Sequence, residues 1–209
     1  MVALVIVPGI GGSGEQHWQT WWERRGDAEA VRMAPRSWDE PELEDWVDAV
    51  DRAVTRLAAS DDEVILVAHS LGCWAAAEWE ARPARAAVAG MLLVAPPDPA
   101  GEAFPRAAAS SFVGVEVRPL SCRSVVVASS DDPYCPIEVA ERFASGWGSA
   151  FRDAGGFGHL NTASGLGEWE WGKAVLADLV RTSGACTGQR AAPGVSSDPR
   201  RRWGPSPSR

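Results

Sequence analysis

The sequence is poor in the residue types that build metal centres and redox centres. Its 209 residues include four cysteines, three histidines and a single lysine, Lys173. No two cysteines have the Cys-x-x-Cys spacing of a zinc or redox site, and the histidines are dispersed along the chain. We therefore expect no metal and no cofactor. Cysteines without such a pattern are expected to be free thiols in a reducing compartment, which favours the cytoplasm.

Long apolar runs and an excess of positive charge are also missing. The N-terminal apolar run 2–7 is too short for a signal peptide or a membrane span, so we expect neither. The net charge is −8, and residues 182–209 hold five arginines and one aspartate, a charge of +4. Residues 1–181 therefore carry −12. An acidic body repels phosphate groups, which argues against a nucleic-acid partner.

The length fits one domain, 1–181, followed by a basic tail, 182–209, whose Gly, Ser, Pro and Arg content predicts disorder. Within the domain, short apolar strands alternate with helical segments. This order predicts an α/β fold with a mostly parallel sheet of about six strands and helices on both faces. The predicted strands are 3–8, 30–33, 63–68, 88–95, 124–129 and 150–153. The predicted helices are 42–58, 71–82, about 136–147 and 168–180.

The pentapeptide Ala68-His69-Ser70-Leu71-Gly72 lies between a predicted strand and a predicted helix. A tight strand-to-helix turn flanked by small residues lifts a serine hydroxyl out of the sheet, the arrangement called a nucleophile elbow. The usual pattern is Gly-x-Ser-x-Gly, and here Ala68 replaces the first glycine. The context predicts that Ser70 is a nucleophile, with an ordinary turn serine as the alternative.

A serine hydroxyl needs an adjacent base, and the base needs a carboxylate to orient it. His159 follows a glycine-rich stretch after the last predicted strand, so we expect it to be the base. His69 adjoins Ser70 in a tight turn and should point away from it, which favours a structural role. Asp131 and Asp132 both follow the fifth predicted strand, and either could be the acid or could cap the next turn.

An acyl-transfer site also needs two backbone N–H groups aimed at the developing oxyanion. Leu71, at the start of a predicted helix, should supply one of them. Ile10, in the glycine-rich loop 8–14 after the first strand, should supply the other. The same loop could instead cradle a phosphate, but it lacks both the P-loop ending and the dinucleotide-binding spacing. We also expect His17, just after this loop, to hold it by hydrogen bonds.

The assembled motifs resemble the small serine hydrolases of the retinoblastoma-binding-protein-9 type over about residues 3–180. The resemblance implies a compact α/β-hydrolase fold with little or no lid, and it implies that Asp132 is the acid of a Ser-His-Asp triad. The Leu-x-Cys-x-Glu peptide that names the family is incomplete here, so its binding role is not implied. The matching motifs are Val7-Pro8-Gly9-Ile10-Gly11-Gly12-Ser13, His17-Trp18, Ala68-His69-Ser70-Leu71-Gly72, Asp131-Asp132-Pro133-Tyr134 and Gly158-His159-Leu160-Asn161.

The combined expectation is a serine hydrolase that cleaves small carboxylic esters or amides through an acyl-enzyme on Ser70. An acyltransferase would use the same residues, and an inactive hydrolase fold could serve as a binding module. A dehalogenase would need a carboxylate at position 70, so Ser70 argues against that class of enzyme. Only residues 96–114 are available as a cap, so the site should be open. Some of the eleven tryptophans could line a pocket, although core packing is their commoner use.

Overall fold

The computed structural model describes residues 1–26, 28–58, 63–83 and 85–183. Six parallel strands form one sheet in the order β2-β1-β3-β4-β5-β6. The strands are β1 (Val2–Val7), β2 (Glu29–Arg32), β3 (Glu63–His69), β4 (Gly90–Val94), β5 (Arg123–Ala128) and β6 (Ala150–Asp153). The helices are α1 (Trp18–Arg25), α2 (Leu43–Leu57), α3 (Leu71–Glu80), α4 (Ile137–Trp147) and α5 (Glu170–Ser183).

The sheet is covered on both faces, because successive side chains of each central strand point to opposite sides. On one face Val5 belongs to a core cluster with Trp46 of α2, and α3 and α4 pack on the same side. On the other face Ile6 belongs to a cluster with Trp18 of α1, and α5 packs beside it. This three-layer arrangement confirms the predicted α/β class.

The predicted strands and helices all form, with ends that differ by a few residues. Helix α1 was not among the predicted helices. Helix α5 continues to Ser183, and the rest of the predicted tail, 184–209, lies outside the described residues. Within the part of the chain that the structure describes, no helix is both long enough and apolar enough to cross a membrane.

The connection between β4 and β5, residues 95–122, is fully described and contains one 3-10 turn, Ser110–Phe112, but no α-helix. Phe104 and Phe112 are buried in the core and fix this segment to the body. The indole N–H of Trp74 on α3 donates to the Pro97 carbonyl at 2.9 Å. The segment is therefore an anchored loop beside the carboxyl edge of the sheet.

Candidate active site

Four loops converge at the carboxyl ends of β1, β3, β5 and β6. Because all the strands are parallel, these ends lie on the same edge of the sheet, where α/β proteins usually form their sites. The loop after β1 is the glycine-rich loop 8–14, and Ser70 follows β3 directly. Asp132 follows β5, and His159 follows β6. The sheet thus gathers residues that are far apart in sequence.

Ser70 has the backbone geometry of a nucleophile elbow. Its φ of 54° and ψ of −128° lie in a region that residues other than glycine rarely adopt. Its N–H donates to the Val94 carbonyl of β4 at 2.9 Å, and its carbonyl accepts from the Cys73 N–H at 2.9 Å. These bonds hold a strained turn whose cost is of order 1–3 kcal/mol. Strain held at a chemically able side chain is typical of functional sites.

Glycines allow β1 and its loop to approach the elbow closely. A Cβ at Gly72 would lie 2.4 Å from the Pro8 carbonyl oxygen, and one at Gly9 would lie 2.7 Å from the Ser70 Cβ. Neither contact is sterically possible. Ala68, by contrast, is fully buried within β3 and keeps its pairing with both neighbouring strands. The extra methyl group at the first motif position is therefore accommodated.

Ser70, His159 and Asp132 form one hydrogen-bonded chain. His159 Nε2 lies 2.8 Å from Ser70 Oγ, and His159 Nδ1 lies 2.9 Å and 3.0 Å from the two carboxylate oxygens of Asp132. The Asp132 side chain is almost fully buried, and its Oδ1 also accepts the Tyr134 N–H at 2.9 Å. A buried carboxylate in this position favours the Nδ1–H tautomer, which leaves Nε2 free to accept the serine proton.

The neighbouring Asp131 points elsewhere and supports the loop that carries His159. Its Oδ1 accepts the Gly158 N–H at 2.7 Å and lies 2.7 Å from Ser129 Oγ. The bond from Ser129 and then that from Gly158 hold the pKa of Asp131 below its usual value. Ser129 Oγ in turn accepts the Phe157 N–H at 2.9 Å. Asp131 therefore binds the backbone of this loop, and Asp132 binds the His159 imidazole that the loop carries.

His69 contacts the same loop from the opposite direction. Its Nε2 donates to the His159 carbonyl oxygen at 3.0 Å, and its ring is buried. Burial lowers the pKa of His69 well below 6.5, so the ring is neutral near neutral pH. This contact gives the structural role expected for His69 a definite partner. Sequence reasoning could not identify that partner, because it lies 90 positions away.

The glycine-rich loop is fixed by side chains that sequence reasoning missed. The buried Gln19 donates to the Val7 and Val67 carbonyls at 3.4 Å and 2.9 Å and accepts from Ser13 Oγ at 2.5 Å. Thr20 Oγ1 donates to the Ser13 carbonyl at 2.8 Å. Both residues belong to α1, which therefore joins the loop to the sheet. Gln19 and Thr20 are ordinary polar residues of a short helix, so no signal in the sequence indicated this role.

His17 has one ring nitrogen paired and one unpaired. Its backbone N–H donates to the Gly14 carbonyl, as expected of a residue that holds the loop. Its ring Nδ1 accepts the Gln19 N–H at 3.2 Å, which makes His17 the N-terminal cap of α1. Its Nε2 is buried without a partner in the described part of the chain. Burial and then the nearby charge of Arg32 lower the pKa of His17 to about 4.

The backbone N–H groups of Ile10 and Leu71 are the two oxyanion donors expected from the sequence. Within the described residues neither group is paired by a turn or side-chain hydrogen bond, and both residues line the cavity above Ser70. Leu71 is the first residue of α3, where the helix dipole concentrates positive charge. Two unpaired donors beside a serine hydroxyl are able to bind an oxygen that acquires negative charge.

A cavity of about 500 Å³ opens above Ser70 and His159. Its walls come from the glycine-rich loop, from the β4–β5 connection and from the segment after His159. Apolar and small polar residues dominate these walls: Ile10, Leu71, Pro97, Pro105, Thr162 and Ala163. No tryptophan is among the described lining residues; Trp18, Trp22 and Trp46 pack in the core instead. The volume suits a small organic substrate.

The described ranges contain no cluster of three or more His, Cys, Asp or Glu side chains that could hold a metal ion. Cys73, Cys122 and Cys135 are free thiols, and Cys186 lies outside the described residues. Cys73 is buried below Ser70, where its Sγ lies 3.4 Å from the Val94 carbonyl oxygen, and burial raises its pKa. This thiol is therefore a packing residue.

Comparison with known proteins gives one family and a set of solved structures. A family model described as serine hydrolase matches residues 4–178. A YdeN-like hydrolase from Pectobacterium atrosepticum is 32% identical, with 88% of this chain and 92% of that chain covered and a TM-score of 0.75. The ydeN gene product from B. subtilis is 24% identical, with coverage of 87% and 100% and a TM-score of 0.64.

A more distant likeness concerns the fold alone. Esterase 2 from Thermogutta terrifontis, in a structure phosphonylated by cyclosarin, is 16% identical to this chain. The alignment covers 90% of this chain and 85% of that chain, with a TM-score of 0.65. No curated protein matches the chain in sequence.

Proposed function

Since the chain belongs to the serine hydrolase family and has the predicted α/β-hydrolase fold, we propose that it hydrolyses small carboxylic esters through an acyl-enzyme on Ser70. One observation carries this proposal. The Ser70 hydroxyl, the His159 imidazole and the Asp132 carboxylate are joined by hydrogen bonds of 2.8–3.0 Å. Such a chain turns a weak nucleophile into a strong one. Amides, whose leaving groups are poorer, are slower substrates of the same site.

In the first half-reaction Ser70 Oγ attacks the ester carbonyl carbon while His159 Nε2 takes its proton. Asp132 stabilises the resulting imidazolium and keeps it oriented. The carbonyl oxygen becomes negative and is bound by the N–H groups of Ile10 and Leu71. When the C–O bond to the leaving group breaks, His159 returns the proton to the departing alkoxide. An acyl ester on Ser70 and a free alcohol result.

In the second half-reaction water replaces the alcohol. His159 Nε2 removes a proton from water as its oxygen attacks the acyl carbon, and the proton then passes to Ser70 Oγ as the carboxylic acid leaves. The cavity volume of about 500 Å³ and its apolar walls favour acyl groups of short or medium length. The quoted motifs also support placing the chain with the retinoblastoma-binding-protein-9-type hydrolases within the family.

The test is labelling by a fluorophosphonate probe, read as intact mass, together with hydrolysis of p-nitrophenyl butyrate. Esterase 2 of Thermogutta terrifontis is phosphonylated by cyclosarin, a reagent of related chemistry. The wild type should gain one adduct and Ser70→Ala none, with kcat lower by about 10⁴ or more. Ser110→Ala, which changes an exposed serine of the 3-10 turn, serves as the matched control and should behave as wild type.

Each contrary result has a definite meaning. An adduct or full turnover in folded Ser70→Ala would show that another residue is the nucleophile. A folded wild type that takes up no probe would favour the binding module over the enzyme. Release of the acyl group faster to an added alcohol than to water would identify an acyltransferase, which shares the first half-reaction.

A further inference from the structure

A second cavity adjoins the first beside His159. Its volume is about 460 Å³. Tyr134, His159, Asn161 and Ala163 line both cavities, so His159 stands at their boundary. In the proposed reaction His159 Nε2 hands its proton to the departing oxygen. The alcohol portion of the ester must therefore lie close to this ring, within reach of the second cavity.

The walls of the second cavity include two aromatic rings that water reaches. Phe157 is 48% exposed and Tyr134 is 37% exposed, and both rank among the most exposed large apolar residues of the described chain. The Tyr134 ring also contacts the His159 ring, with 4.6 Å between centroids. Exposed aromatic faces attract cations as well as apolar groups. A ligand bound in the second cavity would cover the exposed parts of both rings.

The same cavity carries one negative charge and no lysine or arginine among its described lining residues. The charge is that of Asp131, whose Oδ1 accepts from Ser129 Oγ and from the Gly158 N–H. Its Oδ2 lies 3.4 Å from the point that a Cβ on Gly156, another lining residue, would occupy. The exposed carboxylate of Asp131 therefore lines the same cavity as the two aromatic rings.

We propose that this second cavity binds the leaving group of the ester, and that it selects an alcohol that carries an ammonium group. The proposal rests on the proposed function, because it assigns the departing alcohol of that same reaction. The ammonium is attracted by the Asp131 carboxylate and by the faces of Tyr134 and Phe157. Leaving groups that carry phosphate are repelled by the same carboxylate. The acyl chain occupies the larger cavity above Ser70.

The experiment compares two esters that differ only in charge: choline butyrate and 3,3-dimethylbutyl butyrate. They share the acyl group and nearly the same shape, because a carbon replaces the nitrogen. For the wild type, kcat/KM should be about tenfold higher for the ammonium ester, a difference of about 1.4 kcal/mol. The ratio should fall as ionic strength rises, since the carboxylate is exposed.

Variants assign the preference to named residues. Asp131→Asn keeps an oxygen that can accept both existing hydrogen bonds but removes the charge, and Phe157→Leu removes one aromatic face. Each should bring the ratio of the two kcat/KM values to within about threefold of unity. Using the ratio cancels any disturbance of His159, which affects both esters equally. Asp48→Asn, which removes an exposed charge that lines neither cavity, should leave the ratio unchanged.

The outcomes separate this proposal from the one on which it rests. If the fluorophosphonate labels Ser70 but the wild type uses both esters equally, or neither, the leaving-group site is wrong and the nucleophile stands. An unchanged ratio in both Asp131→Asn and Phe157→Leu would also overturn it. If Ser70 takes up no probe and neither ester is hydrolysed, both proposals fail together.

Discussion

Acid should destabilise this protein through two buried histidines beside Ser70. Burial and neighbouring charge lower the pKa of His17 from 6.5 to about 4, and burial lowers the pKa of His69 as well. The two rings lie 4.9 Å apart between centroids. His17 Nδ1 already accepts a hydrogen bond from the Gln19 N–H, so a proton could be added there only by breaking that bond. The folded state therefore keeps His17 neutral.

The direction follows from proton binding in the two states. Between pH 6.5 and about 4 the unfolded chain binds a proton at position 17 and the folded chain does not, so stability falls as pH falls. The cost is absent above pH 6.5 and stops growing below about pH 4. At about 1.4 kcal/mol per pH unit, the full interval gives about 3 kcal/mol for His17. His69 adds a loss in the same direction.

The assay is urea unfolding at several pH values from 7 to 4.5, with the free energy of unfolding plotted against pH. His17→Asn retains a side-chain oxygen that can cap α1 but has no titrating group. Its slope between pH 6 and 4.5 should be smaller than that of wild type by about 1.4 kcal/mol per pH unit. Asn161→Ala, which removes a different cap and no titrating group, should keep the wild-type slope. Equal slopes for wild type and His17→Asn would refute the reasoning.

Two further substitutions test the site and the fold around it. Asp132→Asn should lower kcat on p-nitrophenyl butyrate by about 10⁴ with little change in KM, because the amide no longer favours the working tautomer; an unimpaired kcat in steady-state kinetics would argue against this role. Gly72→Ala should lower the free energy of unfolding by about 3 kcal/mol, since its Cβ would meet the Pro8 carbonyl at 2.4 Å. In thermal denaturation this is a fall of about 6–12 °C in Tm, whereas Gly14→Ala, whose Cβ meets nothing within 4 Å, should melt close to wild type.

The strands were predictable because this sheet is parallel and covered on both faces. Strands of that kind are continuous runs of Val, Ile and Leu, which stand out in a chain with few other apolar runs. Strand β6 was predicted with its observed bounds, Ala150–Asp153, and β1 was displaced by one residue. The long helix α2 was predicted for a similar reason, since its apolar residues repeat at helical spacing over fifteen positions.

Helix α1 was missed because eight residues give too little periodicity to distinguish a helix from a loop. A signal was nevertheless available in the local sequence. Trp18 and Trp22 stand four positions apart and are both buried, and Arg24 and Arg25 precede Gly26, which ends the helix in a left-handed conformation. The starting cap, His17, is not one of the residues that usually mark a helix start.

At the site, the side chains of neighbouring residues contact different parts of the loop that carries His159. This difference explains which parts of the site the sequence could predict and which it could not. Ser70 and Asp132 contact the His159 imidazole. The elbow motif identifies Ser70, whereas Asp132 was distinguished from Asp131 only by the family resemblance. Their neighbours His69 and Asp131 contact the backbone of the same loop, at the His159 carbonyl and the Gly158 N–H. Each strand end thus supplies one group to the imidazole and one to its support. The supporting pair acts through packing and direction, which only a folded chain defines, so no pattern of residue types could assign it.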